Sequence, residues 1–376
     1  MLLVAIPLAI IAVFLRARHF QPSGIAPLTS LRALAAAMVF FLHYSEQYRA
    51  DHTHELLSVF LRGGYEGVSV FFVLSGFLLT LSIRKELAAH TFNIRRYTLR
   101  RAARIYPLYY ALLAMTAVLA PQMIHWQNIV LVQGYFPSVV FSGIPPAWTL
   151  TVEETFYLLL PLVIWLCAKV GKSNGIVLSC LTLIGLGFGL LALHVPDFLG
   201  TPLFLWSHTI FGRFPIFAIG IACAFFYEQR KHWPRALLGV SAVMFVAATC
   251  WSAVENERPN FRAADLFVGM AAGGLILGLA SDNKLVRLFG NRYFAYLGVV
   301  SYALYLVQLT PLIALLMPLV HNLPDVLAVY AVATLFAMAC YELIERPART
   351  FILSRACRAF LPWAKTCANA RPARLK

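Results

Sequence analysis

The chain has 376 residues, of which 60% are hydrophobic and only 12% are charged, and its formal net charge is +15. Soluble domains carry roughly 25% charged residues, so this composition excludes a soluble protein and predicts several membrane spans. The seven cysteines are scattered, without the paired spacing of a metal site or a disulfide framework, and neither is expected.

Apolar runs recur along the chain, and they predict an all-α, polytopic transmembrane bundle of about ten spans. The runs cover residues 28–48, 64–83, 105–121, 148–168, 175–194, 210–227, 235–253, 263–281, 295–317 and 326–344. Residues 1–15 are also apolar but short for a span, and they have no basic leader or small-residue cleavage site. They predict an extra N-terminal helix rather than a removable signal peptide. Prolines and Gly143 interrupt residues 122–147, which we expect to be re-entrant or to lie on the surface.

The lysines and arginines are distributed unevenly between the two sides of these spans. If residue 20 lies inside and the spans alternate, 26 of the 31 basic residues fall in inside segments. The inside segments are 16–32, 84–104, 169–174, 228–236, 282–294 and 345–376. The positive-inside rule then places the loop before the first main span and the C-terminal tail in the cytoplasm, as in a multi-pass membrane protein.

The same distribution explains the net charge. The basic residues set the topology and contact membrane lipid headgroups, and no nucleic-acid partner is expected. We expect an apolar N-terminal segment and linker at 1–27, a transmembrane domain at 28–347, and a basic cytoplasmic tail at 348–376.

The first main span carries two ionisable residues, Arg32 and His43, which are eleven positions apart. At about 100° per residue they lie on nearly the same helix face, separated by roughly 16 Å along the axis. A snorkelling arginine and a core histidine with one hydrogen bond are the ordinary explanations for each residue alone. Two ionisable groups on one face of a membrane helix favour a functional role, because such groups are costly there.

Two small residues, Ser75 and Gly76, interrupt the otherwise bulky second span. Small residues allow membrane helices to approach closely, and Gly76 favours that structural explanation. Ser75 carries a hydroxyl group and is also suited to orient a reactive group.

An arginine-rich stretch precedes the third span. Arg101 and Arg104 are three residues apart and share a helix face that leads into the span, where Pro107 is expected to kink or open the helix. A guanidinium group can donate two parallel hydrogen bonds to the oxygens of one phosphate group. These two arginines therefore favour a phosphate-bearing ligand on the cytoplasmic side. Positive-inside anchoring is the alternative, and it accounts better for Arg95 and Arg96.

The fourth span carries a carboxylate, Glu153, beside Trp148 and Tyr157. Thr151 and Glu154 have the spacing of a capping box, which explains Glu154. Glu153 has no such explanation, and we expect it to pair with a histidine or an arginine.

The ninth predicted span contains Tyr302, Tyr305 and Gln308, spaced three residues apart, so that neighbouring members lie on one face. An aromatic belt is one explanation. Because these residues lie in the body of the span, an internal polar stripe is at least as well supported.

These segments together resemble the membrane-bound acyltransferase 3 family of sugar O-acyltransferases. Arg32 and His43 match its pattern of an arginine, ten residues and a histidine. The other matching segments, in family order, are GVSVFFVLSGFLL (67–79), LRRAARIYPLYY (99–110), WTLTVEETFYLLLP (148–161), GRFPIFAIG (212–220), VSYALYL (300–306) and YELIERP (341–347). Two departures are Thr29–Ser30, where the family usually has Asp-Gly, and Gln308, where it often has a histidine.

The resemblance implies transfer of an acyl group, most often acetyl, from cytoplasmic acyl-CoA to a hydroxyl of a cell-envelope or exported polysaccharide or glycolipid. Arg32, Arg101 and Arg104 would bind the CoA phosphates, and His43 would act as general base or as transient acyl carrier. Glu153 would orient the imidazole or stabilise its cation, and Arg32 and Glu153 complete the expected catalytic set. The expected substrate-binding residues are Ser75, Trp148, Tyr157, Tyr302, Tyr305 and Gln308.

Several alternatives stay open at this point. A transporter or a flippase of lipid-linked sugars would also need buried charges, and a non-catalytic scaffold would tolerate changes at His43 and Glu153. The acceptor is open among lipopolysaccharide O-antigen, exopolysaccharide, a nodulation-type oligosaccharide and peptidoglycan, and the acyl group is acetyl first and succinyl second. The sequence contains no extracytoplasmic hydrolase-like domain of the kind that some relatives carry, so a stand-alone membrane domain is expected.

Overall fold

Helices form nearly all of the regular structure in a computed structural model, which describes residues 2–22, 24–51, 55–193, 195–230, 233–255, 263–281, 286 and 289–359. The α-helices are α1 (Ala5–Ala17), α2 (Ala26–Tyr44), α3 (Glu46–Asp51), α4 (Leu56–Arg62), α5 (Gly67–Ala88), α6 (Ile94–Leu119), α7 (Trp126–Ile129), α8 (Trp148–Val170), α9 (Lys172–Ala192), α10 (Pro202–His208), α11 (Ile210–Gln229), α12 (Arg235–Glu255), α13 (Ala263–Ala280), α14 (Arg292–Val307), α15 (Pro311–Ala314), α16 (Leu323–Cys340) and α17 (Arg346–Ala359). The described ranges contain no strand.

Nine helical segments within the described residues are long and apolar enough to cross a membrane. A tenth candidate is a bent pair, Arg292–Val307 with Pro311–Leu319, whose two parts meet at 79°. The predicted all-α polytopic bundle of about ten spans is confirmed, and the protein is an integral multi-pass membrane protein. The sequence predicts one continuous span at 295–317. The structure is bent there, because Pro311 starts a new helix.

The extra N-terminal helix is α1, which packs against α14 and α16. Its 13 residues reach about 20 Å at 1.5 Å per residue, less than the roughly 30 Å of a bilayer core.

Helix α2 is held at close range by glycines of its neighbours. A Cβ atom on Gly298 of α14 would lie 1.8 Å from the carbonyl oxygen of Thr29, and one on Gly67 of α5 would lie 2.3 Å from that of Ala35. The predicted packing role of Gly76 is also confirmed, because a Cβ atom there would lie 2.3 Å from the carbonyl oxygen of Phe217 in α11. Small residues thus bring these helices into backbone contact.

Three predicted helix features are wrong. Helix α6 starts at Ile94, so the arginine-rich stretch forms its first turns instead of preceding the span, and Pro107 lies within the helix. Helix α8 starts at Trp148 after a 3₁₀ turn, so Thr151 lies inside the helix rather than at its cap. Its hydroxyl donates to the carbonyl oxygen of Leu131 (3.0 Å) instead of closing a capping box. The last span continues past residue 344 through a π-helical turn, Tyr341–Glu345, into α17.

The connection between α6 and α8 is a series of short turns packed on protein. Asn128 is fully buried, and its amide nitrogen lies 3.0 Å from the Ser142 hydroxyl. Tyr109 and Tyr110 of α6 donate hydrogen bonds to backbone carbonyl oxygens of this connection, at 2.6 and 2.8 Å. These contacts satisfy irregular backbone, as segments near a membrane require.

Candidate active site

A cavity of about 240 Å³ lies where several helices end on the predicted outer side. It is lined by Val39, Leu42, His43, Tyr65, Glu66, Val68, Ser69, Phe141, Pro145, Pro146, Trp148, Ser207, His208, Arg213, Tyr305 and Leu309. We call it the outer cavity. Its lining comes from α2, α5, α8, α10, α11 and α14 and from the connections that adjoin them, so residues far apart in sequence meet here.

His43 lies in the last turn of α2 and is half-buried at the outer cavity. No side chain that the structure describes forms a hydrogen bond with its ring, which leaves the imidazole nitrogens to meet a substrate. Arg49 of α3 donates to the carbonyl oxygen of Leu42 (2.8 Å), next to His43. Burial lowers the pKa of the Arg49 guanidinium, while the charge of Glu46 acts in the opposite direction.

The opposite wall of the outer cavity carries buried charged groups. The Glu66 carboxylate accepts hydrogen bonds from the hydroxyls of Ser69 (2.6 Å) and Ser252 (2.5 Å). Arg213 is paired with Asp265 at 2.6 Å, and both side chains are at least nine-tenths buried. Buried charges need such partners, and these pairs join α5, α11, α12 and α13 around the cavity.

A second cavity of about 30 Å³ lies deeper in the bundle, and we call it the inner cavity. It is lined by Arg32, Val68, Phe71, Phe72, Thr149, Leu150, Glu153, Tyr302 and Tyr305. The Glu153 carboxylate accepts hydrogen bonds from Ser75 (3.2 Å) and Tyr157 (3.0 Å). Arg32 interacts electrostatically with Glu153 and has its guanidinium carbon 5.8 Å from the centre of the Phe71 ring.

Two residues, Val68 and Tyr305, line both cavities. The Tyr305 hydroxyl lies 3.1 Å from that of Thr149 and donates to the carbonyl oxygen of Pro146 at 3.3 Å. The outer and inner cavities are therefore adjacent along α2, with the Tyr305 ring between them.

Further arginines interact with the residues of the inner cavity, although Arg101 and Arg104 line neither cavity. Arg104 interacts electrostatically with Arg32, with Arg349 of α17 and with the buried carboxylate of Glu345. Arg101 has its guanidinium carbon 6.0 Å from the centre of the Tyr157 ring. Among the described residues, Nε of Arg32, Nε of Arg101 and Oε2 of Glu345 are buried without a hydrogen-bond partner. Buried polar atoms without partners are unusual, and the two guanidinium N–H groups are suited to an anionic ligand, whereas the Glu345 oxygen is not.

The structure brings most of the predicted site residues to these two cavities. His43, Trp148 and Tyr305 line the outer cavity, while Arg32, Glu153, Tyr302 and Tyr305 line the inner one. The Tyr302 hydroxyl donates to the carbonyl oxygen of Ile105 at 2.8 Å. Ser75 and Tyr157 reach the inner cavity through Glu153.

Two predicted partnerships differ from the structure. The Glu153 carboxylate contacts Ser75 and Tyr157 and faces Arg32, and the structure does not bring it to His43. Gln308 lies at the bend after α14, fully buried, and donates to the carbonyl oxygen of Tyr305 (3.1 Å) instead of lining a cavity.

Several residues at or near the site were not singled out from the sequence. Glu66, His208 and Arg213 line the outer cavity, while Glu345 and Arg349 interact electrostatically with Arg104. Arg213 and Glu345 lie in segments that match the resembled family, which was a usable signal. Glu66 and His208 lie near the ends of predicted spans. Polar residues are common there, so their presence does not indicate a functional site.

The described part of the site does not contain a set of side chains placed to bind a metal ion. Across the described residues, no group of three or more His, Cys, Asp or Glu side chains is placed to hold a metal ion. The outer cavity is lined by the Glu66 carboxylate and the imidazoles of His43 and His208, and the inner cavity by the Glu153 carboxylate.

The helical bundle and its two adjoining cavities define a multi-pass membrane protein with a polar path along one helix. Comparison with known proteins gives the family: the acyltransferase 3 model, described as an acyltransferase domain, matches residues 26–342. The chain therefore belongs to the acyltransferase 3 family, and the predicted resemblance is confirmed. No solved structure matches the chain at a significant level.

Three relatives illustrate the similarity. The chain is 25% identical to the peptidoglycan O-acetyltransferase OatA of Listeria monocytogenes, over 89% of this chain and 57% of that protein. It is 28% identical to the O-acetyltransferase OatA of Staphylococcus aureus, over 45% of this chain and 30% of that protein. It is 22% identical to a putative O-acetyltransferase of Staphylococcus aureus, over 74% and 49%. The chain thus spans about half the length, or less, of these curated relatives.

Proposed function

We propose that this protein transfers an acetyl group from cytoplasmic acetyl-CoA to a hydroxyl of a cell-envelope polysaccharide, in the bacterial inner membrane. One observation carries the proposal: the inner cavity, which Arg32 lines, and the outer cavity, which His43 lines, adjoin at Val68 and Tyr305. An anionic donor needs positively charged surroundings, whereas a neutral sugar acceptor does not. Two adjoining cavities allow the two substrates to meet at one reacting centre.

The donor would lie on the inner side. Arg101, Arg104 and Arg32 would bind the phosphate groups of CoA, since guanidinium groups match phosphate oxygens. The buried Nε atoms of Arg32 and Arg101, which lack partners among the described residues, support this assignment. The distance of roughly 16 Å between Arg32 and His43 along α2 is comparable to the reach of a pantetheine arm.

The acyl transfer would take place at His43. The imidazole would act as a general base on the sugar hydroxyl, or it would first accept the acyl group and then pass it on. Glu153 would act from the inner cavity, where it holds Ser75 and Tyr157 and offsets the charge of Arg32. Glu153 would then hold the residues of the donor side in place and balance their positive charge, rather than orient the imidazole of His43.

The acceptor would lie in the outer cavity. Trp148 and Tyr305 line it together with Tyr65 and Phe141, and aromatic side chains of this kind suit the apolar face of a sugar ring. Because a relative acts on peptidoglycan by name, we take peptidoglycan as the first acceptor to test and exopolysaccharide and lipid-linked oligosaccharide as the next.

The test supplies acetyl-CoA labelled in the acetyl group to membranes that contain the wild type, His43→Ala or His321→Ala. We expect label in the envelope glycan with the wild type and with His321→Ala, whose histidine is exposed and lies away from both cavities. His43→Ala should lose at least about 100-fold, since general base catalysis contributes that much or more. Equal labelling by His43→Ala and the wild type would contradict the role of His43, and no labelling by the wild type would contradict the function.

A further inference from the structure

A third cavity, apart from the two at the candidate active site, is an apolar groove of about 420 Å³ between α1, α14 and α16. We call it the membrane groove. It is lined by Ile6, Ala9, Ile10, Val13, Phe14, Tyr293, Leu297, Leu327, Tyr330, Ala331 and Thr334. Ile10, Phe14 and Leu327 are exposed along it, so the groove is open on one side. An exposed apolar surface of this size needs an apolar partner.

The length of the membrane groove corresponds to one leaflet of a bilayer. Ile6 and Phe14 are eight positions apart on α1, which is about 12 Å along the helix axis at 1.5 Å per residue. One leaflet contributes about half of the roughly 30 Å hydrocarbon core. The groove is therefore long enough to hold most of one fatty acyl chain that lies along α1.

The inner end of the membrane groove carries positive charge. The rings of Phe14 and Tyr293 stack there at 5.5 Å and 10°. The Arg292 guanidinium carbon lies 5.3 Å from the centre of the Tyr293 ring, and Nη1 of Arg292 donates to the carbonyl oxygen of Arg18 at 3.0 Å. Arg16, in the last turn of α1, has an exposed side chain, as do Arg18 and Arg292. These three arginines lie on the predicted cytoplasmic side, at the level expected of lipid headgroups.

A carboxylate near this end does not cancel the positive charge. Glu342 accepts a hydrogen bond from the hydroxyl of Tyr296 (3.2 Å), a group with which Arg16 also interacts electrostatically. The same carboxylate is paired with Arg346 at 2.9 Å, so its charge is balanced. The charge of Arg16 and Arg292 therefore favours an anionic group, and guanidinium groups suit phosphate oxygens in particular.

We propose that the membrane groove binds one anionic phospholipid of the inner leaflet. One acyl chain lies between α1, α14 and α16, and the phosphate meets Arg16, Arg18 and Arg292. Any membrane lipid can cover an apolar face, but a groove that ends at several arginines selects an anionic headgroup. This binding site is independent of the proposed function, and its test does not use acyl transfer.

The bound lipid would also support the helix that carries His43. Tyr330 lines the membrane groove on α16, and its ring stacks on that of Phe41 at 5.3 Å and 24°. It also meets the Phe40 ring edge-on at 5.1 Å. Phe40 and Phe41 belong to α2 and precede His43 by three and two positions. An acyl chain in the groove therefore packs against the ring that holds this turn of α2.

The test measures lipid binding to the purified full-length protein in a nonionic detergent by native mass spectrometry. The probes are dioleoylphosphatidylglycerol and dioleoylphosphatidylcholine, which have the same chains and differ in headgroup charge. Arg292→Gln removes a charge at the headgroup position, and Arg95→Gln, at an exposed arginine of α6, is its control. Leu327→Trp fills the groove from a side chain that is 42% exposed, and Leu181→Trp, on the exposed face of α9, is its control.

We expect the wild type and both controls to bind one phosphatidylglycerol at least about fivefold more tightly than phosphatidylcholine. Arg292→Gln should weaken phosphatidylglycerol binding about fivefold, in line with the contribution of one basic residue at a membrane surface. Leu327→Trp should weaken the binding of both lipids, because the indole ring takes the place of the chain.

Three outcomes would overturn the inference. Equal binding of the two lipids by the wild type would exclude selection of an anionic headgroup. Unchanged phosphatidylglycerol binding by Leu327→Trp would show that the chain does not use the groove. An equal loss with Arg95→Gln and Arg292→Gln would show that the lipid responds to the overall charge of the cytoplasmic surface rather than to this site. Thermal unfolding of each variant without added lipid checks that it is folded.

Discussion

Glu153 is the carboxylate at which two helices and a cluster of arginines meet. It accepts hydrogen bonds from Ser75 of α5 and from Tyr157 of its own helix, and it faces Arg32. In a low-dielectric interior the charge of such a group matters more than its shape, because it offsets the mutual repulsion of nearby guanidinium groups.

Replacing Glu153 by glutamine tests this role. Glu153→Gln keeps the size of the side chain and removes the negative charge, so we expect acetyl transfer to fall at least about tenfold while the protein still reaches the membrane. Glu228→Gln is the matched control, because its carboxylate pairs with Arg84 near the end of α11 and lines neither cavity. Labelled transfer normalised to protein abundance checks both variants. Equal activity of the two would contradict a special role for Glu153.

The sequence predicted part of this site. The spacing of Arg32 and His43 was enough to place them on one face, since helix geometry alone decides that. The partner of Glu153 was not predictable, because it depends on how α5, α8 and α2 meet in three dimensions. The place of His208 at the outer cavity was also missed, since it depends on contacts with Ser207 and with Trp148, which is 60 positions away in sequence.

At the scale of whole elements, contact between α2 and α14 depends on the absence of a side chain. The Cβ atom of an alanine at position 298 would lie 1.8 Å from the carbonyl oxygen of Thr29, and the nearest atoms belong to the backbone, which cannot move aside cheaply. The two helices would have to separate. Helix α2 carries Arg32 and His43, and α14 carries Tyr305, so this packing sets the width of the path between the cavities.

We therefore expect Gly298→Ala to lower the midpoint of thermal unfolding in detergent by several degrees and to reduce acetyl transfer. Gly185→Ala in α9 is the control, because its Cβ atom would meet no atom within 4 Å. Alanine is favoured over glycine in a helix by about 0.5–1 kcal/mol, so the control should unfold at the same temperature or slightly higher. A Gly298→Ala protein as stable as the control would show that α2 and α14 do not need this contact.

Element boundaries were predicted less well than element number. Hydropathy located the spans because each apolar run has about 17 to 23 residues, close to the length that a bilayer core needs. It placed the start of α6 eleven residues late, since the arginines of its first turns are polar yet helical after the cap at Asn93. It also could not show the bend near Gln308, which comes from the proline at position 311 and from buried hydrogen bonds.

At the scale of the whole molecule, the bent pair decides the topology. If it crosses the membrane, the charge bias and the spans agree, and both the N-terminal loop and α17 face the cytoplasm. If it returns to the side it came from, position 321 and α17 exchange sides. The positive-inside rule favours crossing, because residues 345–376 are rich in lysine and arginine.

Single cysteines in a background without native cysteines test this arrangement. An impermeant maleimide added to intact spheroplasts should label His321→Cys, and it should label Lys172→Cys and Ser354→Cys only after the membrane is made permeable. All three positions are exposed in the structure, so lack of labelling reports the side of the membrane rather than burial. Exchange of the pattern between positions 321 and 354 would show that the bent pair does not cross.

The Tyr305 ring between the two cavities has a consequence for the energetics of the cell. The inner cavity has room for about one or two water molecules. Hydrogen bonds to Thr149 and to the carbonyl oxygen of Pro146 hold the Tyr305 side chain beside it. A continuous column of water along α2 would short-circuit the ion gradient across the membrane. Because Tyr305 lies where the two cavities adjoin, we expect its ring to interrupt such a column and to keep the bundle closed to ions.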